Sequence, residues 1–213
     1  MNFDEFLISI SKIKNIPLPA QASQFKMAPP FRHELIKQQN EAIKYAKKAG
    51  VMALFYPDKN FKTHFVLILR NTYSGVHSAQ VAFPGGKLEK FDVSLQAAAV
   101  RETFEEIGVP VEQIEVVCEL SEVYIPPSNF YVLPFLGISK QTPQFIKQDE
   151  EVERIIEVPL IQFFDDANII TKKVRTSYSV EVEVPAFKLN DYVVWGATAM
   201  MLSEIKDVLK QLL

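Results

Sequence analysis

Three glutamates, Glu102, Glu105 and Glu106, fall within five residues of the stretch "PGGKLEKFDVSLQAAAVRETFEEIGV", which runs from Pro84 to Val109. The stretch reads as a helix capped by Asp92 or Ser94 and continuing to Ile107, with Gly108 to close it and Pro110 to prevent extension. At about 100° per residue the three acids share one arc, and Val100, Phe104 and Ile107 share the opposite one. That pattern predicts an apolar stripe facing a core and an acidic face turned away from it. Like charges at these spacings cost roughly 0.2 to 0.5 kcal/mol each, and carboxylates in the last turns oppose the helix dipole by a similar amount. Arg101 offsets part of the cost through Glu105. A solvated acidic face is the commoner origin of such a run, but here it leaves the clustering without a compensating cation. A hard divalent cation such as Mg²⁺ or Mn²⁺ supplies one, since it takes oxygen ligands at about 2.1 Å and keeps waters for exchange. Gly85 and Gly86 then gain a purpose, because glycine permits positive φ and close approach of a bare carbonyl. Taken alone a Gly pair is only a turn, and "PGGK" lacks the spacing and the Lys-Ser/Thr pair of a P-loop.

Such a helix needs a sheet to hold it. Residues 51–56 and 64–69 read as two strands around the turn "PDKNFK", a hairpin. Further strands are predicted over 114–120, 130–136, 153–158, 176–184 and 192–195, separated by Pro, Asn and Asp signals, which together make a mixed sheet. Helices flank it. Asn2 with Glu5 three residues on predicts a capped first helix carrying Phe3, Phe6, Leu7 and Ile10. Residues 33–49 look helical, with Gly50 as the residue that ends them. From Ala197, the spacing of Met201, Ile205, Val208 and Leu212 predicts a docking helix. With no repeat or linker, the chain reads as one α/β domain over 1–213, made of a helical N-terminal extension (1–50) and a core (51–213).

Composition excludes some partners. The 213 residues are 48% hydrophobic, enough for a sizeable core, and 23 basic against 26 acidic side chains give a net charge of −3. That balance offers no global attraction to nucleic acid or to an anionic membrane, so an anionic small molecule must be met by local charges. The one cysteine, Cys118, lies in an apolar run and reads as a packing residue in a reducing compartment. The N-terminal segment lacks the basic region of a signal peptide, and no apolar run approaches the ~18 residues of a membrane span, so a soluble cytoplasmic protein is expected. The sequence leaves a homodimer open. Three histidines without metal-ligand spacing argue against zinc and give His77 a packing or substrate-contact role. Tyr124, Phe130 and Tyr131 can stack an adenine or fill a core, and "PPSN" (126–129) is by itself a turn.

Gly86, five residues, Asp92, eight residues and then Arg101-Glu102-Thr103-Phe104-Glu105-Glu106-Ile107-Gly108-Val109 resemble the box of the Nudix hydrolases. The usual pattern has Glu and seven residues where this chain has Asp92 and eight. That expansion, with "LILRNTYSGVHSAQVAFPGG" (67–86), "YIPPSNFYVLPF" (124–135) and "WGATA" (195–199), is similar to the coenzyme A pyrophosphatase branch over most of the chain after Met27. Asn71, Gly75 and Ala79 stand where that branch commonly has Ser or Ala, Arg and Gly. The resemblance implies an α/β/α sandwich in which Glu102, Glu105 and Glu106 bind Mg²⁺ or Mn²⁺, with the Gly86 carbonyl nearby. It leaves the base open among Glu102, Glu105 and a later glutamate, Glu150 or Glu151 of "QDEEVERI". It makes Arg101 an orienting residue and puts Arg70, His77, Lys87, Tyr124 and Asn129 on the substrate side, with Arg32, Arg70 or Lys87 to meet a 3′-phosphate. The implied substrate is coenzyme A or its thioesters, cleaved into 3′,5′-ADP and 4′-phosphopantetheine products. Another nucleoside diphosphate derivative such as ADP-ribose, or a silent nucleotide-binding module, are the alternatives.

Overall fold

Asn2 accepts from the Asp4 amide at 2.9 Å while Glu5 reaches back to the Asn2 amide, so the first helix begins with the capping box that its sequence predicts. A computed structural model of the chain describes residues 1–39, 41–71, 80–175 and 181–213. In order these form α1 (Phe3–Ile10), α2 (Gln21–Gln24), α3 (Arg32–Gln38), β1 (Lys47–Pro57), β2 (Thr63–Arg70), β3 (Val81–Ala82), β4 (Gly85–Lys87) and α4 (Leu95–Ile107). They continue with β5 (Glu115–Glu119), β6 (Val123–Ile125), β7 (Phe130–Ile138), β8 (Val152–Pro159), α5 (Leu160–Phe164), β9 (Ile169–Arg175), β10 (Glu181–Leu189), β11 (Tyr192–Trp195) and α6 (Gly196–Leu212).

The hairpin is present, but β1 and β2 pair only near their turn, from Phe55↔Phe65 to Pro57↔Thr63. Farther along, β3 takes the free side of β2 at Ile68 and Leu69, and β4 takes the free side of β1 at residues 49–51. Two short strands thus stand where the hairpin splays, and they carry the Gly85-Gly86 pair into the middle of the sheet. On the outer sides, β8 runs antiparallel to β2 and β7 runs parallel to β1, and β5 and β6 extend β7. The sheet is mixed, as expected.

Strand alternation divides its two faces. Met52, Leu54, Tyr56, Val66 and Ile68 face α4 with Ala99 and Ile107, while Ala53, Phe55, Phe65 and Leu67 face α1 and α6 with Phe6, Met201 and Ile205. The result is an α/β/α sandwich, each fully buried large side chain contributing roughly 1.5–3 kcal/mol of transfer free energy. Cys118 packs at the rim of the second cluster, and burial pushes its thiol up to about 11, consistent with a packing role. A smaller sheet, β9–β10–β11, lies apart from the main one in pairing. Among the described residues, no helix is long and apolar enough to cross a membrane.

Two expectations are corrected and a third is extended. The helix predicted over 33–49 ends at Gln38, a 3₁₀ turn follows at Ala42–Tyr45, and residues 47–50 belong to β1. The helical extension therefore stops short of Gly50, because Lys47 to Gly50 pair with Phe130 to Leu133 of β7, and sheet pairing overrides the local pattern. The strand predicted over 176–184 is β10 from residue 181 onward, paired with an unforeseen β9, and residues 176–180 lie outside the described residues. The docking stripe of α6 is real, but burial runs nearly all round the helix. Glu204 is enclosed and accepts from the Ala20 amide, Gln24 and the Ser121 amide.

Candidate active site

The position of α4 is set by small residues. Ser94, not Asp92, caps it, accepting from the Ala97 amide at 3.1 Å, and Gly108 ends it with φ 74°. A Cβ on Gly50 would overlap the Leu95 carbonyl, so glycine there lets the helix settle directly on β1. The buried arc consists of Ala98, Ala99, Thr103, Glu106 and Ile107, whereas Phe104 is 50% exposed. The predicted stripe is thus displaced around the helix. Close packing over Gly50 and Ala99 turns Glu106 inward, where the Gly85 amide donates to it at 2.8 Å and the Arg70 guanidinium at 3.2 Å. Those two donors tie the end of β2 and the start of β4 to one carboxylate.

Freed from capping, Asp92 takes Arg101 through two bonds, Nε at 3.0 Å and Nη2 at 2.9 Å, and accepts from the Glu89 amide. Arg101 also reaches Glu102 at 2.9 Å and Glu105 at 2.7 Å. The bidentate bond from Arg101 holds the Asp92 carboxyl below its ordinary range, and Asp92 in turn pushes the guanidinium up. A shorter acid with one extra residue of spacing therefore still pairs with the arginine of the box.

Glu102, Glu106 and Glu151 each offer an oxygen, and these atoms lie within 4.8 Å of one another. Glu151 arrives from the turn before β8. Gln148 accepts from the Glu150 and Glu151 amides at 2.6 and 2.8 Å, and the Asn71 amide donates to the Glu151 carbonyl at 2.9 Å. Of the two candidates in "QDEEVERI", the fold brings Glu151 to the cluster. Burial pushes the Glu106 carboxyl up to about 8, against the pull of Arg70 and the Gly85 amide. Burial also raises Glu102, with Arg101 opposing. Gly85 has φ 147°, as glycine allows, but Gly86 does not need positive φ. It is required for space, since its Cβ would overlap the Glu102 carboxylate. Arg70 pairs with Glu106 and Arg101 is divided among Glu102, Asp92 and Glu105, which leaves negative charge uncompensated at the three carboxylates, and an all-oxygen donor set of this kind fits a hard divalent cation.

Other predicted residues have partners outside the cluster. Glu105 is 52% exposed in its side chain and stays at Arg101, outside the cluster. The Lys87 ammonium pairs with Glu89 at 3.2 Å. Tyr124 and Asn129 meet each other: the Tyr124 hydroxyl lies 2.9 Å from Asn129 Oδ1 and 3.0 Å from Gln39 Oε1. Beside them the buried Arg32 donates to the Tyr124 carbonyl at 2.6 Å, its Nε has no partner, and among the described residues it meets no carboxylate. His77 lies outside the described residues. Gly50 and Gln148, which position the helix and Glu151, went unrecognised in the sequence. Their signals are the approach of a helix carbonyl and a turn bond, which only tertiary structure reveals.

Residues 46–176 match the NUDIX domain family. Over 185 residues, 86% of this chain and 90% of the relative, the sequence is 30% identical to the uncharacterized Nudix hydrolase NudL of Salmonella paratyphi B, and equally to that of Salmonella newport. Among solved structures, the Nudix hydrolase RenU of M. smegmatis superposes with a TM-score of 0.54 at 16% identity, covering 79% of this chain and 88% of that one. A C. elegans Ap4A hydrolase binary complex gives 0.51 at 17% identity, covering 78% and 98%. At these identities the structural likeness concerns the fold alone. With the sequence match spanning most of the chain, and the acidic cluster seated on the matched box, this chain belongs to the Nudix hydrolase family.

Proposed function

We propose that the protein is a metal-dependent diphosphatase that cleaves coenzyme A or its thioesters into 3′,5′-ADP and 4′-phosphopantetheine products. The observation that carries the hydrolytic part is the meeting of Glu102, Glu106 and Glu151 beside the bare Cα of Gly86. Glu102, Glu106 and Glu151 would hold Mg²⁺ or Mn²⁺, and the family resemblance adds the Gly86 carbonyl and Glu105 to the ligands. A bound divalent ion supplies charge neutralisation for the diphosphate oxygens and a lowered pKa for a water. The protein's own groups do the rest. Arg70 fixes Glu106 and offers its remaining N–H groups to a phosphate oxygen. Glu151, the exposed member of the cluster, accepts the proton of the attacking water. Arg101 is a positioning residue that keeps Glu102 oriented through its anchorage on Asp92.

The coenzyme A part of the reading rests on the sequence resemblance and on Arg32. A buried guanidinium with no carboxylate among the described residues suits a 3′-phosphate, whereas Lys87 and Arg70 are already paired with acids. The test is a panel of coenzyme A, dephospho-coenzyme A, ADP-ribose and diadenosine tetraphosphate with Mg²⁺, the products identified by mass. Coenzyme A should be cleaved fastest, to 3′,5′-ADP. A clear preference for ADP-ribose would replace the substrate, and binding without cleavage of any member would make the chain a silent nucleotide module.

A further inference from the structure

Asp149, Glu150 and Glu151 are all exposed, so no packing fixes the direction in which Glu151 leaves its turn. Hydrogen bonds to the peptide groups do that instead. The peptide unit between Asp149 and Glu150 is held at both ends: its carbonyl accepts from Asn71 Nδ2 at 2.8 Å, and its N–H donates to Gln148 Oε1 at 2.6 Å. The unit between Glu151 and Val152 is held by the same two residues. Its carbonyl accepts from the Asn71 amide at 2.9 Å, and its N–H donates to the Gln148 carbonyl at 2.9 Å. Between the two units, the Glu151 amide donates to Gln148 Oε1 at 2.8 Å. Both holders lead back to the rest of the cluster. Gln148 donates its own amide to the Glu106 carbonyl at 3.1 Å, and Asn71 follows Arg70, whose guanidinium meets the Glu106 carboxylate at 3.2 Å.

We propose that Asn71 is a positioning residue of the metal centre: its side-chain amide locks the 149–150 peptide so that Glu151, and not Glu150, turns toward Glu102 and Glu106. The assignment rests on the reading of those three acids as a metal-binding cluster. A peptide plane bonded at both ends cannot rotate, so the backbone directions at Glu150 and Glu151 are set before an ion arrives. Only the side-chain rotors of Glu151 are then left to order on binding, which lowers the entropic cost of ligation. Without Nδ2 the Asp149 carbonyl turns to water and the plane is held at one end. Glu150 carries the same carboxylate one residue away, so this turn has a competing ligand to keep out. The bond is exposed, and its loss costs folding little. The coenzyme A pyrophosphatase branch commonly has Ser or Ala at this position. Alanine has no side-chain donor, and a serine hydroxyl stands one bond nearer the backbone than an asparagine amide, so the lock belongs to this chain.

Mn²⁺ is the probe, titrated into the metal-free full chain and followed through the electron paramagnetic resonance of the free ion. Turnover is measured beside it, with Mg²⁺ and whichever of coenzyme A and ADP-ribose is cleaved faster. Removing a group that orients a metal ligand typically changes affinity or activity by roughly 10- to 100-fold. The main-chain bond from residue 71 survives substitution, so the lower end applies. Asn71→Ala, and Asn71→Leu with its similar bulk, should each weaken Mn²⁺ binding and lower kcat by about tenfold, with KM and melting temperature little changed. A bond that merely supports the fold would add its effect to any other lesion. A positioning bond acts through Glu151 alone, so Asn71→Ala should change either measurement less than about twofold when added to Glu151→Gln. Wild-type Mn²⁺ affinity and turnover in the two Asn71 variants, with Glu151→Gln impaired, overturn the assignment and leave the metal centre standing. An undiminished tenfold effect in the double variant overturns it likewise, as does a collapse of melting temperature in both single variants, which would make the bond a folding contact. Glu151→Gln indistinguishable from wild type in both measurements would remove the cluster reading, and the assignment with it.

Discussion

Glu106→Gln should abolish the fall in stability that metal-free protein shows as pH rises through the titration of this one carboxyl. Glu106 is 1% exposed, and its oxygens meet the Gly85 amide at 2.8 Å and Arg70 at 3.2 Å. Its folded-state carboxyl titrates at about 8 against an ordinary 4.5, so between those values the folded chain keeps a proton that the unfolded chain has released. Stability from burying the neutral acid is therefore fully present below the unfolded value and lost as pH rises through the folded one. At ~1.4 kcal/mol per pH unit, the loss across that window approaches roughly 5 kcal/mol. Glutamine has no proton to lose, but it presents one acceptor to two donors, which costs about 1–3 kcal/mol at every pH. The curves should cross. Urea unfolding in chelator, followed from about pH 5 to about pH 9, should show Glu106→Gln less stable at the acid end and more stable at the alkaline end. Saturating Mg²⁺ should restore the advantage of the wild type at alkaline pH, because ligation needs the ionised carboxylate. Parallel curves for the two proteins in chelator would refute the burial of an uncompensated acid.

The remaining expectations concern rate and substrate. Glu102→Gln and Glu151→Gln should each lower kcat by at least about a hundredfold at saturating Mg²⁺ with little change in melting temperature, and near-normal turnover in both would remove the cluster from the reaction. Gly86→Ala meets the movable end of Glu102 and should reduce kcat far more than stability, while Gly50→Ala meets the Leu95 backbone carbonyl and should destabilise by about 1–3 kcal/mol or more; melting and kinetics on the same preparations separate them. Coenzyme A should be preferred over dephospho-coenzyme A by more than about tenfold in kcat/KM, and Arg32→Gln should shrink that ratio; a ratio untouched by the substitution assigns the 3′-phosphate to another group.

Local signals made much of this legible in the sequence. The Asn2 capping box, the Ser94 and Gly108 limits of α4, the hairpin turn and the apolar stripe of α6 are all decided within a few residues, and each stands as expected. What failed depended on distant partners. Gly50 looks like a helix end until the Leu95 carbonyl above it is known, and the strand it belongs to is fixed by β7, some eighty residues on. Glu106 reads as one of three exposed acids, because its two donors come from the ends of β2 and β4, and the seam of small residues that rotates α4 exposes Phe104 instead. The way Tyr124 and Asn129 meet each other is likewise decided by tertiary contacts. The fold joins them to Gln39 and Arg32, a grouping that no spacing in the sequence announces.

The claim beneath all of this is that the acidic cluster of α4 and the β8 turn is a metal centre. Crystals grown with Mn²⁺ and measured near its absorption edge test it most directly. An anomalous peak should lie among Glu102, Glu106 and Glu151, next to Gly86, and should disappear in Glu106→Gln crystals. Manganese bound elsewhere, with those three carboxylates free of any peak at full occupancy of the other site, would contradict the account.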